Sequence, residues 1–196
     1  MSPKQQRGEA TVEQVLDAAL RVYAASGDQG LTVSAVTKAS GVSPGSLYHH
    51  FGSLDGLVAA LVLRWLSRLL GEVAGALERT RTARTGIRAV VRAYLGFVRD
   101  HPDAARLVHS VAADRYGMAH AKEIRDSQEA RLSPIADWIR ERLDSGELTP
   151  LPVPVIESLV LGPVVAVARR RLTLGDVDLE AAGRDLPERI WRSVSP

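Results

Sequence analysis

Cysteine is absent from the chain, which excludes disulfide frameworks and thiolate metal sites and fits the reducing cytoplasm. Long apolar runs are missing as well. The longest, Leu159 to Ala168, is too short to span a bilayer and carries Gly162-Pro163, so no membrane partner is expected. The opening residues MSPKQQRGEA lack the apolar segment of a signal peptide. Charge of one sign is also lacking: the net value is only +2, a weak argument for nucleic acid by itself. Alternating strand patterns and internal repeats do not stand out. Neither do HExxH, GxSxG, a P-loop or carboxylates clustered in an apolar setting. No catalytic residue, metal ligand or cofactor is therefore assigned, and the chain is not expected to be an enzyme.

What remains is an ordinary globular composition, 45% hydrophobic and 24% charged, able to build a core. The 196 residues suit one large domain or a small one fused to a larger. Val12, Val15, Leu16, Ala19, Leu20 and Tyr23 recur at helical spacing, with Thr11 as the expected N-cap and Ser26-Gly27 as the stop. Thr32 is placed to cap a short helix that ends at Ser40-Gly41. Ser43 caps a third with Pro44 at its first position, and Ser53 caps a fourth running to about Leu77. ERTRTARTG reads as a polar connector before apolar positions Ile87 to Val98. Further helices are expected at about 104–113, at 121–145 with a kink at Pro134, at 155–172, and from Asp178 to about Val194. The chain thus reads as all-α, with about nine helices. Three short helices with a four-residue turn between the second and third describe a helix-turn-helix over 32–51.

The segment GVSPGSLYHHFGS, residues 41–53, is unusual for a helix. Only Leu47 and Phe51, four apart, form an inward face. The other face shows small hydrogen-bonding residues, then Tyr48 and His49. Small residues allow close backbone approach, and a helix N-terminus favours phosphate. Hydroxyls and imidazole suit phosphate oxygens and base edges in a major groove. Its composition is that of a contact surface. A metal site at His49-His50 is a poor alternative, since adjacent helical positions point about 100° apart.

Residues 12–63, above all LTVSAVTKASGVSPGSLYHHFGSLDGLVAAL, resemble the DNA-binding domain of the TetR family of transcriptional regulators. The resemblance implies a DNA-binding domain over 8–53 and a helical effector-binding and dimerisation domain over 54–196. It further implies a cytoplasmic homodimer on a palindromic double-stranded DNA operator, acting as a ligand-responsive repressor. Position by position, it implies DNA contacts from Thr32, Lys38, Ser43, Gly45, Ser46, Tyr48 and His49, while His50 and Phe51 face the interior. Lys4 and Arg7 are candidates for a flexible arm reaching the minor groove. The chain departs from the family pattern at Leu54, where a phosphate-gripping Lys is common, and at Thr37, where Ala is usual. Over residues 1–52 Lys4, Arg7, Arg21 and Lys38 are balanced by Glu9, Glu13, Asp17 and Asp28.

Elsewhere the arginines at 79, 81, 84, 88, 92 and 99 have no acid among them and read as a solvated face. Trp65, Leu69, Tyr94, Val98, His109, Tyr116 and Trp138 are candidates for an effector pocket, each with plain core as its ordinary role. The polar atoms of Tyr94 and Trp138 in apolar company suit a neutral or weakly polar organic effector. Residues 155–172, apolar on nearly every face, and the last helix with Trp191 read as a dimer-forming pair. A DNA-binding regulator without a small-molecule ligand is the alternative function, and a helical enzyme the remote one.

Overall fold

In the computed structural model the described chain runs over residues 3–196, and the side chains at 3, 4, 5, 7, 117 and 121 lie outside the description. The described residues form ten helices and no strand: α1 (Pro3–Gly30), α2 (Val33–Ser40), α3 (Pro44–Phe51), α4 (Leu54–Leu77), α5 (Ala83–Asp100), α6 (Pro102–Val108), α7 (Val111–Ala119), α8 (Ala121–Asp144), α9 (Val153–Leu174) and α10 (Leu179–Val194). The tenth arises because the single helix expected at 104–113 is two. Pro102, which lacks an N–H, opens α6, and the chain then breaks at His109-Ser110, where Ser110 Oγ accepts from Ala113 N at 3.1 Å to start α7.

Three other boundaries differ from expectation. α1 starts at Pro3 rather than after Thr11, and at the stop expected at Ser26-Gly27 the helix does break, Gly27 leaving helical geometry at φ 65° before a last short stretch to Gly30. The tail of ERTRTARTG is helical, because Thr82 and Thr85 form a reciprocal capping box that starts α5 at Ala83. α9 begins at Val153, with Pro154 in its first turn.

The chain divides into two compact units: one runs to Trp65 and takes in Leu107–Ala119, the other holds Leu66–Arg106 and His120–Pro196. This differs from a division at 53/54. Leu57, Leu61 and Val62 of α4, with Leu107 and Ala113, share one core with Val15, Leu16, Val36 and Leu47. In the larger unit α5 buries Ile87, Val90, Val91, Tyr94, Leu95 and Val98. α10 packs against it, with Leu95 Cδ1 3.8 Å from where a Cβ on Gly183 would stand. Arg84 ties the two helices further, its Nη2 donating to Glu188 Oε2 at 2.7 Å. One of the arginines read as solvated is thus paired with an acid from another helix, and Arg99 pairs with Asp100.

Candidate nucleic-acid interface

The helix-turn-helix is fixed by caps. Thr32 is extended, and its Oγ1 accepts from Ala35 N at 3.2 Å to start α2. Gly41 ends α2 in the left-handed region at φ 71°, donating its N–H to Thr37 O at 2.8 Å, a conformation that costs most residues about 1–2 kcal/mol. Ser40 organises the turn: its buried Oγ accepts from Val42 N at 3.3 Å, and its carbonyl accepts from Gln14 Nε2 of α1 at 2.7 Å. Ser43 Oγ then accepts from Ser46 N at 3.2 Å, starting α3 at Pro44.

α3 divides into the two expected faces. Leu47 is fully buried and Phe51 packs against the same core. Ser43, Gly45, Tyr48 and His49 are exposed, Tyr48 at 50%, and Ser46 is half-buried. On α2 Lys38 is exposed, as is the cap Thr32. Thr32 and Ser43 use their oxygens as acceptors for the caps, so each hydroxyl hydrogen remains to be donated outward, as a phosphate oxygen requires. His50 is half-buried beside α1, its Cε1 3.9 Å from where a Cβ on Gly8 would stand. Its ring meets those of His49 and Phe51 edge-on, at centroid distances of 5.2 and 6.3 Å.

The backbone of Lys4 and Arg7 belongs to α1 and is not an extended arm, while their side chains lie outside the described residues. Leu54 is half-buried against the core of its unit, so it is a packing residue at the start of α4. The pocket candidates do not form one set within one unit: Trp65, His109 and Tyr116 belong to the smaller, Leu69, Tyr94, Val98 and Trp138 to the larger.

Two residues that sequence reasoning missed hold the smaller unit in register. Gln14 reaches the turn, and Arg64 of α4 pairs with Glu13 and Asp17 of α1. The i, i+4 spacing of those two acids was the available signal, but the choice of partner, about fifty residues away, is made by tertiary packing. In the larger unit Tyr94 is buried, which pushes its phenol up to about 12 against the opposing pull of Arg169, so it stays protonated at physiological pH. Trp138 packs against α5 at Gly86, with the Arg142 guanidinium 4.6 Å from its ring centroid, and its buried Nε1 has no hydrogen-bond acceptor among the described residues.

Capped α2, a glycine turn and an α3 that buries Leu47 while presenting Tyr48 and His49 define a helix-turn-helix protein of the nucleic-acid-binding class. Residues 15–61 match the family described as bacterial regulatory proteins, tetR family. The regulator BetI of Rhizobium meliloti (strain 1021) is 33% identical over 78 residues, 40% of this chain and 38% of that protein, so the match spans well under half of its length. A TetR family transcription regulator from Marinobacter aquaeolei VT8 has a similar fold, with a TM-score of 0.77 at 20% identity over 97% of this chain and 98% of the other. The regulator FadR from Bacillus subtilis, solved in complex with stearoyl-CoA, aligns with a TM-score of 0.70 at 18% identity over 91% and 96%. Over residues 15–61 the chain thus carries the domain of the tetR family of bacterial regulatory proteins.

No helix among the described residues is long and apolar enough to cross a membrane.

Proposed function

We propose that this chain is a one-component repressor that binds a palindromic operator as a homodimer and releases it on binding a small organic effector. The observation that carries the DNA-binding part is the polar outer face of α3: Ser43, Gly45, Tyr48 and His49 are exposed on a helix whose inward residues Leu47 and Phe51 are committed to the core. Thr32 and Lys38 on α2 flank it with a hydroxyl and a cation for phosphate. Two such helices related by a two-fold axis fit successive major grooves of symmetric half-sites.

The dimer is supported by α9. Its buried residues Ile156, Val160, Val164 and Ala168 form one stripe, at i, i+4 spacing. Val155, Leu159, Leu161, Val165 and Val167 lie outside that stripe, with Val155 41% exposed, so apolar surface remains for a second copy. The effector reading is supported by Trp138, whose buried indole N–H lacks an acceptor that a carbonyl or hydroxyl would supply. A neutral or weakly polar ligand is supported by Leu95 and Val98, buried on α5 with Tyr94, although the Arg169 charge also acts on the Tyr94 phenol. FadR of Bacillus subtilis, a protein of similar fold, was solved in complex with stearoyl-CoA, whose acyl chain is apolar but whose CoA part is far more charged than the effector proposed here. The effector can act only through a difference in affinity between two shapes of the dimer, and α4, one helix shared by both units, is the element through which it acts.

Selection of genomic fragments by the purified protein tests the reading, followed by operator retention and tryptophan fluorescence against a panel of lipophilic metabolites. Recovery of a palindromic sequence, released by a compound that also changes the fluorescence, is expected. Fragments with no common sequence would refute operator recognition. An operator that no compound releases would leave the ligand-free regulator.

A further inference from the structure

Arg64 stands on the part of α4 that belongs to the smaller unit and spans two acids of α1. Its Nη1 donates to Glu13 Oε2 at 2.8 Å and its Nη2 to Asp17 Oδ1 at 2.7 Å. The guanidinium also lies 5.5 Å from the centroid of the Trp65 ring, and its side chain is only 21% exposed. The apolar contacts that join these helices, Val15 and Leu16 with Leu57 and Leu61, are non-directional and tolerate sliding. A planar fork donating to two carboxylates one helical turn apart does not: it fixes both the rotation of α1 about its axis and its register along α4. Next to Glu13 stands Gln14, whose Nε2 holds the Ser40 carbonyl at the turn between α2 and α3. The series Arg64, Glu13/Asp17, Gln14, Ser40 thus joins α4 to the turn that aims α3.

We infer that Arg64 is a positioning residue for DNA recognition, setting operator affinity through the register of α1 and the turn against α4 and not through its own charge. The inference rests on the proposed DNA-binding function, and charge and register make opposite predictions. Removing Arg64 deletes a cation, which weakens DNA binding on either account. Removing the two carboxylates deletes anions, which by electrostatics alone tightens binding. If register is what matters, that change weakens it too.

The test measures binding of a double-stranded fragment, selected from random-sequence DNA by the wild-type protein, to Arg64→Gln, Arg64→Lys and the double variant Glu13→Gln/Asp17→Asn. All three are expected to bind about fivefold or more weakly, the lower end of ordinary coupling between sites. Arg64→Lys keeps the charge but loses the fork, so its loss separates geometry from charge. Helical circular dichroism and the unfolding midpoint are expected to stay close to wild type. If Arg64→Gln does not fold, the double variant, which leaves no carboxylate unpaired, decides. Equal or tighter binding by the double variant overturns the inference while leaving the operator reading intact. Failure of the wild-type protein to select any fragment overturns both.

Discussion

Leu47 and Tyr48 are chain neighbours with opposite tasks, and side-chain direction on one short helix separates them. Leu47 is fully buried and Tyr48 is half exposed. Truncating Leu47 to Ala should therefore cost stability, about 2–5 kcal/mol for a buried leucine. Truncating Tyr48 should leave the fold intact and act on DNA. Tyr48→Ala is expected to weaken binding to all sequences alike, and Ser46→Ala to change preference among them, as phosphate and base contacts respectively require. Fluorescence anisotropy against a selected operator and a scrambled duplex, across a salt series, checks both. Unchanged affinity and salt slope for both variants would remove α3 from the interface.

Among the elements, α5 shows how two glycines in one helix differ. A Cβ on Gly86 would stand 2.1 Å from Cζ2 and 2.3 Å from Cη2 of Trp138, whereas a Cβ on Gly96 meets nothing within 4 Å. Alanine gains up to about 1 kcal/mol over glycine in a helix. At Gly96 that gain should appear in full as a raised thermal midpoint. At Gly86 an indole ring must move, at about 1–3 kcal/mol for overpacking, so Gly86→Ala should lower the midpoint. A rise for Gly86→Ala would show that Trp138 yields, and that α5 and α8 are not held apart by a fixed ring. The caps act at this scale too. Thr32→Ala removes the acceptor for Ala35 N and should cost about 1 kcal/mol of stability while also weakening DNA binding.

For the whole molecule the proposal requires two copies, and α9 is where the second is expected. Val155→Glu with Leu159→Glu places charges on its uncovered apolar face while leaving the buried stripe at Ile156, Val160, Val164 and Ala168 untouched. Light scattering should then report the monomer mass in place of the dimer, with operator affinity falling because each half-site is held by one α3 alone. A wild-type protein already monomeric at micromolar concentration would refute the dimer, and a variant that remains a dimer would locate the interface elsewhere.

The amino-acid sequence by itself determined the features that rest on local physics. Period-3.6 apolar positions and capping residues defined the helices, and Thr32, Gly41, Ser43 and Pro44 specified the turn and α3 almost to the residue. Those signals act over three or four residues, and they are the ones that carry the family resemblance. Only the tertiary structure decided what depends on distant partners. Glu13 and Asp17, two of the four acids that balance the basic residues in a count along residues 1–52, are both paired with Arg64. Arg84, without an acid nearby in sequence, finds Glu188. Leu54 packs into the core, Trp138 rests on Gly86, and the pocket candidates divide between two units. Periodicity shows that a face is apolar but not what covers it, since that choice is made by packing between helices tens of residues apart.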